Sequence, residues 1–233
     1  GVQNVQTGGK AGGSLGSTVY STVVLSGAVQ NVAGTAISTV VSASGSMNVQ
    51  AGGSATGVHV LEGGVETVFS GGSDSGASVY GSDARQYVQG GGSALNVSVY
   101  AGGQQHILSG AAVPSTFIGS AGEVHLSSGV AVEDFYVSAF GSEVISEGAS
   151  DIAAAVVGFQ VIKSGGYAQE ATVEAGGIQS VAGSADYTYV KDEGAMHVLS
   201  GGTAQGGTVF GQQIISASGY AEAAEVYEDA VQT

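Results

Sequence analysis

Two ladders of aliphatic residues run through this chain at a shared spacing, and few folds can satisfy both. The first is Val5, Val32, Val49, Val68, Val88, Ile107, Leu126, Ile145, Ile162, Val181, Val198 and Ile215, and from Val49 to Ile145 its steps are 19, 20, 19, 19 and 19 residues. The second follows as Val19, Val40, Val60, Val79, Val99, Ile118, Val137, Val156, Val173, Val190, Val209 and Val226. Later steps fall to 17 in places, and Val5 to Val32 is irregular. A fixed period near 20 residues is the signature of a repeat architecture.

The most regular copy is Met47–Gly64, which reads as two short alternating strands, each closed by a Gly-Gly turn. In a strand, successive side chains point to opposite faces. Two positions before the second anchor stand Ser17, Ser38, Val58, Ala77, Val97, Thr116, Phe135 and Ala171, mostly small or apolar and expected inside. Just before the anchor stand Thr18, Thr39, His59, Ser78, Ser98, Phe117, Tyr136, Thr172, Tyr189 and Thr208, expected outside. Gly pairs such as Gly8-Gly9, Gly52-Gly53, Gly176-Gly177 and Gly201-Gly202 mark the corners between strands.

A coil this short cannot bury its own face, so coils must stack, with strands of successive coils pairing in parallel. The expected fold is all-β: a single-stranded, right-handed parallel β-solenoid (β-helix) of about twelve rungs of roughly 19 residues, a rod of about 55–60 Å. Residues 1–233 are expected to form one solenoid domain, with irregular rungs near 18–46 and 216–233.

Composition narrows the function. Gly makes up 42 of 233 residues, yet a hydrophobic fraction of 43% argues against disorder. Lys10, Arg85, Lys163 and Lys191 face 19 acidic residues, for a formal charge of −15. Phosphate neutralisation needs clustered cations, so nucleic acid is excluded as a partner. No apolar run is long enough to span a bilayer as a helix, so no membrane insertion is expected of this segment. Cys is absent, which suits export through an oxidising compartment.

Candidate chemistry sits on the outward face. Tyr20, Tyr80, Tyr100, Phe117, Tyr136, Tyr189, Phe210 and Tyr227 would form an exposed aromatic stripe suited to sugar stacking or lateral packing of solenoids. Plain coverage of the strand surface is the competing reading. His106, His125 and His197 share one repeat position, but a tetrahedral metal site needs further ligands that the pattern does not supply. No cofactor or metal is implied. Glu133-Asp134, Asp192-Glu193 and Glu143 show no pairing across rungs that would push two pKa values apart, so they read as solvated charges. Gly12-Gly13-Ser14-Leu15-Gly16 matches a nucleophile elbow in letters, but no helix follows it. No catalytic residue is assigned, and the chain is expected not to be an enzyme.

The repeat resembles a known family. Val99-Tyr-Ala-Gly-Gly-Gln-Gln-His-Ile-Leu-Ser-Gly-Ala-Ala, Val173-Glu-Ala-Gly-Gly-Ile-Gln-Ser-Val-Ala-Gly-Ser-Ala and Val198-Leu-Ser-Gly-Gly-Thr-Ala are similar to the passenger repeats of self-associating autotransporter adhesins of the diffuse-adherence (AIDA) type. The resemblance implies a right-handed β-helical passenger on the outer surface of a Gram-negative bacterium, acting in self-association, autoaggregation, biofilm and attachment. Partners would be further copies of the chain, other cells or surface glycans. Some members are heptosylated on Ser or Thr, which makes Thr18, Thr39, Ser78, Ser98, Thr172 and Thr208 candidates for O-glycosylation. Two alternatives stand beside this reading: an extracellular filament or surface-layer subunit stacked through open solenoid ends, and a β-helical polysaccharide-active enzyme.

Overall fold

The computed structural model describes residues 2–5, 18–222, 224–227 and 230–232, and all of its regular secondary structure there is β. The chain is an all-β parallel solenoid of about 11 turns at a spacing of ~19 residues. It divides into two compact units, Gly1–Thr116 and Phe117–Thr233.

In the first unit the strands Val2–Val5, Val29–Val32, Ser46–Val49, Val65–Val68, Arg85–Val88 and Gln104–Ile107 pair in parallel and in register. In the second, Glu123–Leu126, Ser142–Ile145, Phe159–Ile162, Ile178–Val181, Ala195–Val198, Gln212–Ile215 and Val231–Gln232 do the same. The first ladder is therefore a true register column. Its irregular step is one too, since Val5 pairs with Val32 directly.

Most coils have three strands rather than the two expected; in the coils that start at Arg85 and Gln104 the second and third merge into Ser93–Tyr100 and Ala112–Ile118. The coil that starts at Ser46–Val49 continues with Ser54–Thr56 and then His59–Val60. A residue in the left-handed region separates the second and third strands: Gly57 there, and Ser38, Asp134, Ala153, Glu170 and Tyr187 in other coils, while Asn96 takes the same conformation within the merged strand Ser93–Tyr100. Non-glycine residues resist that conformation by about 1–2 kcal/mol. Each amide is tied in compensation to the next coil, as Ser38 N–H to Thr56 O (2.8 Å), Ala153 N–H to Gln169 O (2.8 Å) and Tyr187 N–H to Gln205 O (2.8 Å). The kink lets residues on both sides of it, Ala55 and Val58 for example, face the interior.

The start of the second ladder is corrected. Val40 pairs with His59 and Val41 with Val60, so Val41 is the buried anchor. Val19 pairs with Ala36 in the middle strand. A one-residue slip in a period-two pattern exchanges inside for outside.

Coils of 17 residues lose two residues at a single corner. The step is three residues from Val32 to Thr35, Val156 to Phe159, Val181 to Ser184 and Val209 to Gln212, where most corners take a step of five. At Val181 the two amides of Ala182 and Gly183 share the carbonyl of Ile162 at 2.8 and 3.2 Å. Because two residues are removed, the in-out alternation survives.

The interior is thin and aliphatic, lined by Val49, Val60, Val79, Val99, Ile145, Val156 and Val173, all at 0% exposure. Phe135 is the largest fully buried side chain, and Ala154 occupies its place in the next coil. Phe135→Ala is expected to cost about 3–5 kcal/mol by leaving a cavity that small neighbours cannot fill. Urea unfolding checks this, and an unchanged midpoint would show that the ring carries no packing there.

Candidate interaction surface and interior acid pairs

Parallel in-register pairing places equivalent side chains one above another about 4.8 Å apart. Outward aromatics therefore stack. Tyr80 and Tyr100 are register partners with ring centroids 5.5 Å apart and planes 4° apart. In the second unit Phe117 and Tyr136 stack at 5.7 Å and 8°. Tyr189 tilts against Phe210 at 5.5 Å, and Phe210 stacks on Tyr227 at 4.4 Å. Tyr80, Phe117, Tyr136, Tyr189 and Tyr227 are exposed, while Tyr100 and Phe210 are half-buried.

The expected stripe resolves into separate clusters. Between Tyr136 and Tyr189 the same register column carries Ala155 and Thr172. Tyr80, Tyr100, Phe210 and Tyr227 follow their anchors, whereas Phe117, Tyr136 and Tyr189 precede theirs. Tyr20 belongs to none of the clusters. It is the most exposed tyrosine of the set, at 68%, and pairs with Ile37 in the middle strand column.

The hydroxyl ladder is also revised. Ser78, Ser98, Thr172 and Thr208 are half-buried on outward positions of the third strand. Thr39 is wholly buried with an unbonded Oγ1, because the register slip turns it inward beside Val58. A buried hydroxyl cannot meet a glycosyl donor, so Thr39 is withdrawn as a candidate. Thr18 is exposed but pairs with Thr35, again in the middle column. His106 stacks on Tyr87 at 4.9 Å, and His125 Nε2 lies 3.3 Å from Glu123. Among the described residues no group of three or more His, Cys, Asp or Glu side chains could hold a metal. The Gly12–Gly16 motif, Gly8-Gly9 and Ser17 lie outside the described residues.

The largest departure from expectation is inside. The second residue of each first strand points inward, and there the chain places Gln30, Glu66, Gln86, Gln105, Glu143, Gln160, Gln179 and Gln213, all at 0 or 1% exposure. Glu143 is not a solvated charge but a core residue. In the first unit Gln86 Nε2 donates to Glu66 Oε2 (2.9 Å) and Asp74 Oδ2 (3.0 Å). Gln105 Nε2 donates to Gln86 Oε1 (2.8 Å), and Thr116 Oγ1 donates to Gln105 Oε1 (3.0 Å). The second unit repeats the pattern. Gln160 Nε2 donates to Glu143 Oε2 (2.9 Å) and Asp151 Oδ2 (3.3 Å), Gln179 Nε2 to Gln160 Oε1 (2.8 Å), and Thr188 Oγ1 to Gln179 Oε1 (3.2 Å).

Burial dominates the titration of these acids, because a low-dielectric interior penalises the charged form. It lifts Glu66 well above the usual carboxylate range, with the Asp74 charge adding to the rise and the Gln86 bond opposing it. Burial raises Asp74 to about 7 against the Gln86 bond. It raises Glu143 to about 7 against its bond from Gln160, and Asp151 to about 10 with help from Glu143. The pairing was expected, if anywhere, across rungs; it lies instead between the first and second strands of a single coil, twice, and it takes in Glu66, Asp74 and Asp151, which the sequence pattern did not single out.

The arrangement defines a class: a parallel β-solenoid with aromatic and hydroxyl groups on its flanks and its paired acids sealed within. Among solved structures the chain is similar to a hyper-glycosylated fragment of TibA (residues 55–350) whose glycosylation was catalysed by TibC. The two share 27% identity at a TM-score of 0.79, over 100% of this chain and 92% of that one. No protein-family model matches the sequence. Comparison with curated proteins finds no match.

Proposed function

We propose that the chain is an adhesin passenger that works by binding rather than catalysis, on the outer surface of a Gram-negative bacterium. The likeness to TibA, an autotransporter adhesin passenger, supports the adhesin reading and the surface location. The observation that carries the mechanism is the set of stacked, exposed aromatic clusters. Rings held in register by the coils offer flat apolar contact at little entropic cost. Repetition along the solenoid multiplies weak contacts with further copies of the chain or with surface glycans. The half-buried hydroxyls Ser78, Ser98, Thr172 and Thr208, with exposed Thr18, are the positions for O-glycosylation, as the glycosylated neighbour suggests. The acid pairs favour no polysaccharide-cleaving role, since sealed carboxyls cannot touch a polymer.

Beads coated with the chain are expected to clump, and Tyr80→Ser with Tyr100→Ser to reduce clumping several-fold while leaving the circular dichroism spectrum unchanged. Clumping that persists undiminished in the double variant, and in its counterparts at Phe117 and Tyr136, would remove the aromatic clusters from the mechanism.

A further inference from the structure

The interior acid pairs have a bonding pattern with one consistent direction. In both units every donor points toward the carboxyls: a threonine hydroxyl into a glutamine carbonyl, that glutamine's amide into the next, and the last amide into both acids at once. Such a chain of aligned dipoles stabilises negative charge at its end. Only one oxygen of each acid receives the amide, however. Glu66 Oε1, Asp74 Oδ1, Glu143 Oε1 and Asp151 Oδ1 are buried without a hydrogen-bond partner. Two adjacent full charges with unbonded oxygens cannot persist in an apolar interior.

The surroundings supply no counter-charge. These four are the only buried Asp or Glu side chains among the described residues, and no Lys, Arg or His is buried with them. Glu66 lies between Met47 and Gln86 in its column, and Asp74 between Ala55 and Ala94. Glu143 lies between Val124 and Gln160, and Asp151 between Val132 and Ala168. Backbone N–H groups at Ser75 and Ile152 favour the charged forms of Asp74 and Asp151, and Asp134 adds a further negative charge near Asp151. A cation is also disfavoured, since the group converging on each pair is the NH2 end of a glutamine.

We infer that Glu66–Asp74 and Glu143–Asp151 are two proton-binding sites, each holding one proton between its otherwise unbonded oxygens and one negative charge on the oxygens that face the glutamine. The proton comes from solvent on folding and returns to solvent when the coil opens. The folded chain at neutral pH is then two charges less negative than its formal −15. The sign of the linkage follows. Native carboxyls raised above their unfolded values bind more protons than the unfolded chain, so stability falls as pH rises. It is full below the ordinary carboxylate range and is lost through about 7 and on toward about 10.

The test uses the whole chain. Calorimetric unfolding in buffers of different ionisation enthalpy should show release of about two protons per molecule near pH 8, and the melting temperature should fall from pH 6 to pH 10. Glu66→Gln with Glu143→Gln replaces each shared proton by an amide hydrogen aimed at the remaining carboxylate. That variant should fold and lose most of the alkaline fall. Infrared spectra of the wild type should also retain a protonated-carboxyl band at neutral pH, which needs no variant to fold. A flat wild-type pH profile, an unaltered fall in the double variant, no such band, or a melting temperature raised by calcium and lowered by chelator would each overturn the inference.

Discussion

Gly202→Ala is expected to destabilise the second unit by about 3 kcal/mol, the range of a forced overpacking against backbone. A Cβ at Gly202 would lie 2.0 Å from Val181 O and 2.8 Å from Val181 C. Both are main-chain atoms of the preceding coil, so no rotamer change relieves the contact. The cause is the short corner after Val181. The same closeness recurs above the short corners at Val32 and Val156, where a Cβ added at Gly53 or Gly177 would lie 2.1 Å from the carbonyl oxygen. Above five-residue corners the added Cβ has more room, from 2.5 Å at Gly72 to 2.8 Å at Gly219, and Ala111 and Ala149 occupy corresponding places in other coils. Gly219→Ala should therefore cost much less. Gly201→Ala is a third case, with open space around it but φ at +80°, so only the left-handed penalty of about 1–2 kcal/mol applies. Urea unfolding of the three variants should rank Gly202 worst, and equal losses at Gly202 and Gly219 would refute the corner explanation.

Gln160→Leu should cost about 3–5 kcal/mol at neutral pH, the loss typical of an uncompensated buried charge. Leucine nearly matches the volume but removes the only side-chain donor to Glu143 Oε2 and Asp151 Oδ2, and it orphans the Gln179 amide that Gln160 Oε1 had accepted. Because the lost bonds favour the charged form, the deficit should shrink toward pH 4, where both acids are protonated, and grow toward pH 8. Urea midpoints at the two pH values check this. A deficit independent of pH would mean that the amide serves packing alone.

The first ladder was legible because valine, leucine and isoleucine at fixed spacing leave a strand little choice of face. The third strand was not, because its corner is turned by Ser38, Asp134, Ala153, Glu170 and Tyr187 as readily as by glycine. Nothing in those side chains announces a positive φ; the cross-coil hydrogen bonds impose it. Val40-Val41 hid the register slip that buries Thr39, since two adjacent valines offer equal anchors. The interior acids had a visible signal that binary patterning passes over. Two positions before each anchor of the first ladder from Val32 onward the chain reads Gln30, Met47, Glu66, Gln86, Gln105, Val124, Glu143, Gln160, Gln179, Met196 and Gln213. Glutamine recurring at an inward position is a column, but a rule that places polar residues outside discards it.

The paired-residue corners bear on how such a gene can change. Loss of two codons at one corner yields a 17-residue coil whose every side chain keeps its face, as at Val32, Val156, Val181 and Val209. Loss of a single codon there would invert a strand unless the corner absorbed it. Replication slippage within the repeats thus meets a preference for changes of two residues, the six-residue step from Val79 to Arg85 being a corner that absorbs one extra. Variants that respect it inherit a working interior. Selection can then alter the number and outward dress of the coils while the interior stays as it was.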